Sequence, residues 1–415
     1  MASNAKNLAE LLNQDSTVAV GDIADGSVTT AKLAADAVTA AKLADNAVVT
    51  ANIADSAVTA VKTTGVGKNK NLIINGGLEI DQRHEYGVTT EGSGSDYLGD
   101  RLNIEGLVGG GGANMQIVSD SPDALPNMRS AKITVTSTDT SLAAADRYTL
   151  RHIIEGVNCK HLGFGTSNAK TCTLSFYVKS SVTGTFCVAV GNGANNRGRP
   201  YEYTISSANT WEKKTIVVTG DTSGTYETGT GRGIILRWCM GIGSDRQAAV
   251  GSYSAKEVHG TSNQTNLFAT NGATFQIAAL QFEEGSNATD FERLSVGEDL
   301  YLCQRYFWIL DDKGATSDSL LAWGRPEANS EIIFWIPFPC EMRATPSINV
   351  NGDKNHVYAN SVSNIGTYGS QSLLWPNRLR AALHWSGVSS VNTSYSYDMV
   401  STSSRTWEVE FRAEL

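Results

Sequence analysis

Residues 173–179 read TLSFYVK, in which Leu174, Phe176 and Val178 alternate with their neighbours. A period of two is what a strand buried on one face requires, because successive side chains point to opposite sides of a sheet. The same phase recurs along the chain in Phe186, Val188 and Val190, in Ile216 and Val218, in Ile234, Leu236, Trp238 and Met240, and in Phe275, Ile277 and Ala279. The runs are short and punctuated by Gly, Asn and Ser, as in an antiparallel sandwich or jelly roll. Forty glycines against eight prolines fit the tight turns of such a fold.

Charge narrows the function. A net charge of -9, with 33 scattered basic residues, argues against a nucleic-acid partner, which would need clustered Lys and Arg. No apolar run reaches the roughly 18 residues of a membrane span, so membrane insertion is not expected. MASNAKNLAELLNQDS at the start lacks an apolar core followed by a cleavage site, so conventional secretion is not expected either. Cys159, Cys172, Cys187, Cys239, Cys303 and Cys340 form no CxxC pair and sit among apolar residues, as buried free thiols of a protein made in a reducing cytosol would.

Upstream, residues 15–64 fall into tens: DSTVAVGDIA, DGSVTTAKLA, ADAVTAAKLA, DNAVVTANIA and DSAVTAVKTT. Val18, Val28, Val38, Val48 and Val58 recur at that period. Ile23, Leu33, Leu43 and Ile53 follow five residues later, until Thr63 breaks the pattern. A continuous helix would scatter the valines, since ten residues turn it by about 1000°. A continuous strand would put Val and Leu on opposite faces. Each unit must therefore combine an extended piece with a turn. Two medium apolar side chains per unit, at about 25 cal/mol per Å2, do not offset an ordering cost of about 1–2 kcal/mol per residue in a lone chain. Wound with identical chains around an axis, each Val and Leu would meet its own copies in a layer. A disordered Ala/Thr linker is the competing reading, but a linker needs no register; a homotrimeric shaft is expected.

The repeats resemble shaft repeats of tail-fibre proteins from tailed bacteriophages. Beyond a TTGVGKNK hinge, NLIINGGLEIDQRHEYG from Asn71 and YLGDRL from Tyr97 are similar to an opening signature of phage tail-fibre and virion structural proteins. LQFEEGSNATDFERLSVGEDLYLCQRYF, from Leu280 to Phe307, resembles their closing signature, in which a last strand leads to a short helix. The departures are Asp81 in place of an aromatic residue, His84 in place of Gly and Leu102 in place of an aromatic residue. The resemblance implies a jelly roll similar to carbohydrate-binding modules. VGEDLYLCQRYF (296–307) reads as a short amphipathic helix bridging to a last block, which holds six of the eight tryptophans. There EIIFWIPFP, MRATPSINV and TWEVEFRAEL read as strands.

Catalytic signatures are missing from the sequence. The carboxylate pairs Glu283–Glu284, Asp290–Glu292 and Asp311–Asp312 lack the apolar setting that would raise a pKa for acid catalysis. There is no G-x-S-x-G elbow, Walker loop or H-E-x-x-H motif. GGGG at 109–112 reads as a flexible turn. His152, Cys159 and His161 lie close together but match no metal-ligand spacing, and His152 fits a half-buried strand. DDKGATSDS (311–319) has Ala322 where a calcium loop needs its bidentate Glu, and reads as a hairpin turn. No enzyme activity, metal or cofactor is expected.

Binding remains, and sugars are bound by aromatic faces with planar polar groups. NGANNRGRPYEY (192–203) offers Asn195, Asn196, Arg197, Arg199, Tyr201 and Tyr203. AWGRPEAN (322–329) and LLWPNRLRAALHW (373–385) offer Trp323, Arg325, Trp375, Asn377, Arg378, Arg380 and Trp385. Packing in a core or subunit interface is the competing use for each tryptophan. Leu8, Leu11 and Leu12 share one helical face, suited to docking on a phage tail or adaptor protein or to capping the trimer.

The expectation is thus a mainly β trimeric fibre made in the host cytoplasm and carried on the virion. Residues 1–14 attach it, 15–70 form shaft and hinge, 71–295 a carbohydrate-binding-like jelly roll, and 296–415 a β-sandwich receptor-binding head. Its expected function is adhesion to a host polysaccharide or lipopolysaccharide. The alternatives are a structural connector or decoration protein of the virion, and a capsule-depolymerising tailspike.

Overall fold

The computed structural model describes residues 70–91, 97–105, 109–311, 319–352, 357–359, 363–364, 370–388, 391–392, 395–401 and 407–415, with Thr29, Val38 and Thr39. Leu8, Leu11, Leu12, Val18, Ile23, Val28, Leu33, Leu43, Val48, Ile53 and Val58 lie outside the described residues, and Val38 is exposed. The chain divides into residues 1–63 and 64–415. The strands described in the second unit all pair antiparallel.

Its first half is a sandwich. One sheet runs β1 (Thr89–Glu91), β3 (Gly112–Val118), β4 (Ser130–Ser137), β11 (Thr274–Glu284), β6 (Cys172–Ser180), β9 (Glu212–Val218). The other runs β2 (Leu102–Ile104), β5 (Arg147–Glu155), β10 (Arg232–Ile242), β7 (Gly184–Asn192), β8 (Gly198–Ile205). Leu174, Phe176 and Val178 of β6 face Phe186, Val188, Val190, Leu236, Trp238 and Met240 in one core, as their alternation requires. In β11 the period holds through Ile277 and then slips at a bulge between Ala278 and Gln281. Ala279 takes a φ of 52°, and Leu280 and Phe282 supply the inward side chains beyond it. Of the glycines at 109–112, Gly109 and Gly110 are exposed in a bend, whereas Gly111 is packed. The Gly111 amide donates to the Tyr148 hydroxyl, and a Cβ there would come 2.7 Å from Phe268.

Helix α1 (Val296–Gln304) opens on a capping box between Ser295 and Glu298. It stops short of Phe307, and its buried side is Asp299 and Cys303 rather than an apolar stripe. The last strands form a second sandwich. A three-stranded sheet of β12 (Phe307–Asp311), β21 (Trp407–Arg412) and β15 (Ser347–Gly352) faces a seven-stranded one. The latter runs β17 (Ser363–Asn364), β16 (Val357–Ala359), β20 (Tyr397–Ser401), β13 (Ser319–Ala328), β14 (Glu331–Pro337), β19 (Arg380–Ser386), β18 (Ser370–Leu374). Ile332, Phe334, Ile336, Leu383 and Trp385 meet Val409 and Phe411 in its core. Residues 312–318, most of the stretch expected as a hairpin turn, lie outside the described residues.

The signature residues meet one another where the sandwiches join. The Arg305 guanidinium forks onto Glu155 at 2.9 and 2.7 Å, and the Tyr306 hydroxyl donates to the same carboxylate at 2.6 Å. Arg101 lies over the Tyr306 ring and pairs with Glu414; Arg83 lies over Phe307 and also pairs with Glu414. Gln82 donates to the Phe307 carbonyl, and the Asn75 amide to Asp299 of α1. These residues are mortar between the two halves.

Candidate functional site

The side chains of the loop expected to bind sugar on the first sandwich have partners within the fold, and Asn196 is exposed. Arg197 forks onto Asp221 at 2.9 and 2.6 Å. Asn196 accepts from the Asn192 side chain, and Asn195, at a φ of 58°, accepts from Arg237. Arg199 and Tyr201, half-buried on β8, pack against each other by cation–π contact, and Tyr203 lies in the core.

The outer face of the five-stranded sheet is covered by residues 244–264. Ser254 bridges to Gly198, Gly260 closes over Cys187 and Cys239, and Gln264 accepts from the Cys187 amide. Beneath lies an ionic network that sequence reading missed, its members being far apart in the chain. Glu105 takes Arg237 at 2.5 Å and Arg151 at 2.7 Å, while Glu257 takes Arg246 at 3.1 Å and His259 at 3.0 Å. Burial opposes ionisation of both glutamates, but the surrounding cations outweigh it and hold each carboxyl at about 2. Burial drives His259 down to about 4 despite its bond to Glu257, and Arg237 adds to the effect. Glu105, Glu257 and His259 converge as three metal ligands would. The guanidinium groups already occupy those carboxylates, so the donor set does not fit a cation.

His152 lies in the core with its Nε2 unpartnered, and Cys159 is buried under Gly233. His161 lines a concavity of about 350 Å3 beside Asn71 and Phe291. All six cysteines are free thiols, five of them buried and Cys340 half-buried.

The second sandwich presents an aromatic face. On β14, Ile332, Phe334 and Ile336 point into the core, so Trp335 points out. Its exposure is 43%, against 65% for Trp323 and 60% for Trp375. Gly324 of β13 pairs with Phe334, so Trp323 and Trp335, one step further on, are cross-strand neighbours. Ala382 of β19 lies between Trp335 on one side and Leu374 of β18 on the other. Trp375 follows Leu374, and its ring stacks on Trp335 with centroids 5.8 Å apart and planes 14° from parallel. Trp375 takes a φ of 46° although it carries a bulky side chain and precedes Pro376. Both features disfavour that conformation, at a cost on the order of 1–3 kcal/mol.

Around the rings, Arg325 pairs with Glu327 at 2.8 Å, Arg378 with Glu341 at 3.2 Å, and His384 lies 3.6 Å from Glu331. Asn377 accepts from the amides of Leu379 and Arg380, closing the turn between β18 and β19. One residue expected on this surface is not there. Trp385 is 1% exposed, because it shares the inward phase of Ala381 and Leu383. Trp335 was not singled out from the sequence, yet its outward phase is legible in EIIFWIP.

No family model matches this sequence, and no curated protein matches it. Similar solved structures include the enzymatically active domain of tailspike protein 4 from bacteriophage CBA120, at 12% identity and a TM-score of 0.27. That match covers 52% of this chain and 22% of the tailspike chain, so only a fraction of the tailspike's length is spanned. TmCBM61, solved with β-1,4-galactotriose, is 10% identical at a TM-score of 0.26, covering 52% of this chain and 100% of that one. A family 11 carbohydrate-binding module of the cellulase Lic26A-Cel5E from Clostridium thermocellum is 13% identical at a TM-score of 0.23, over 48% of this chain and 99% of its own.

Proposed function

We propose that this chain is a trimeric tail fibre or receptor-binding protein of a bacteriophage, and that its terminal sandwich adheres to a glycan on the host surface. The observation that carries the adhesive part is the exposed face of Trp323, Trp335 and Trp375. A monomeric soluble protein rarely leaves three large aromatic rings together in water, and such patches mark interaction sites. Flat indole faces suit the C–H-rich faces of pyranose rings, with the polar rim supplying hydrogen bonds. The phage assignment draws on the repeat and on the opening and closing signatures. The first sandwich serves as a rigid spacer, the arginines of its loop and the ionic groups under its outer cover being paired with one another. Three weak sites on one fibre would act through avidity.

The test is binding of the full-length protein to host-surface polysaccharide, with its solution mass measured by light scattering. A mass near three times 44.2 kDa and saturable binding are expected. Trp335→Ala with Trp375→Ala should weaken binding at least about tenfold, the worth of one or two aromatic contacts. A monomer would remove the shaft. Intact binding by the double variant would remove the site and favour a purely structural connector.

A further inference from the structure

We infer that the ligand of the tryptophan face is an acidic glycan, a chain bearing sugar carboxylates, and that Arg380 is the residue that reads the charge. The inference rests on the glycan-adhesion reading above. Arg380 opens β19 opposite Pro337, two residues before Ala382, which pairs with Trp335. It therefore stands on the same face as Trp335, on the diagonal, at a Cβ spacing of about 7–8 Å. Its side chain is exposed, and its backbone is held by the Asn377 turn.

Among the described side chains around the rings, every other charged group has a partner; Asp398 stands opposite Trp323 on β20, three strands from β19. Arg325 has Glu327, Arg378 has Glu341 and the Met342 carbonyl, and His384 has Glu331. Among the described residues, the Arg380 guanidinium has no ion pair or hydrogen bond. Glu331 sits at the far end of β14, six residues from Pro337, or about 20 Å along the strand. Among the described residues, the surface thus combines a stacked aromatic platform with one unpartnered guanidinium fork beside it. That fork matches a carboxylate bidentately, which a neutral hydroxyl cannot reproduce. A uronate or sialate ring lying on Trp335 and Trp375 would bring its carboxylate within reach of Arg380.

The test uses the full chain and a panel of uronate and sialate oligosaccharides, each paired with its carboxyl-reduced counterpart, titrated by calorimetry. At least one acidic member should bind about tenfold more tightly than its reduced partner, with the preference weakening as salt rises. Arg380→Gln should erase that preference, so that the acidic member binds no more tightly than its reduced partner. The Trp335/Trp375 double variant should lose both. Equal binding of acidic and reduced forms, or an unchanged preference in Arg380→Gln, overturns the acidic reading while adhesion stands. If no glycan binds and the double variant instead lowers the mass seen by light scattering, the face is a subunit contact and both readings fall.

Discussion

His259 shows how a single buried side chain shapes the acid limit of the fold. Its folded pKa lies at about 4, below the ordinary value of 6.5, so the unfolded chain takes up its proton first. Stability is then complete above about pH 6.5 and is lost as the pH falls toward 4. Glu105 and Glu257, held at about 2, add a second loss between about pH 4.5 and 2, again because the unfolded state binds more protons. Thermal melts from pH 7 to 4 should show a falling midpoint in the parent. His259→Gln should flatten that first leg; a slope unchanged by the substitution would place its origin elsewhere.

At the scale of elements, the NLIINGG stretch before β1 depends on a glycine that does more than turn the chain. Gly76 lies so close to β11 that a Cβ would stand 2.2 Å from the Leu280 carbonyl oxygen, while the Gly76 carbonyl accepts from the Leu280 amide. Gly76→Ala should cost about 3 kcal/mol, at the upper end of overpacking changes, because a backbone atom cannot rotate aside. Gly110→Ala, with nothing within 4 Å of its added methyl, should leave urea unfolding unchanged. Alternation in β6, β7 and β10 was legible in the sequence because one face of each is wholly apolar. The slip in β11 was not, since a bulge is set by its partners rather than by its own residues. The outward phase of Trp335 and the inward phase of Trp385 were both written in their strands. What the sequence did not show was the Glu105 network and the cover over it, which depend on segments that only the fold brings together.

At the scale of the whole molecule, the two sandwiches are welded by charges far apart in the chain. Glu414 neutralises the half-buried Arg83 and the buried Arg101, and Arg343 donates to the carbonyls of Ala413 and Glu414 at 2.7 Å. Removing one partner strands a buried cation, so Glu414→Ala should lose about 3 kcal/mol of unfolding free energy. A loss confined to the terminal sandwich in hydrogen exchange would argue against the weld; loosening of both halves is expected.

The same weld imposes a schedule on synthesis. Arg101 is made 313 residues before Glu414. At about 5–20 residues per second, that leaves its guanidinium waiting about 16–60 seconds on the ribosome for its counterion. During that interval the first sandwich can close its core but not its seam. A chain that stopped before Glu414 would therefore never receive that counterion, leaving both halves with an open joint.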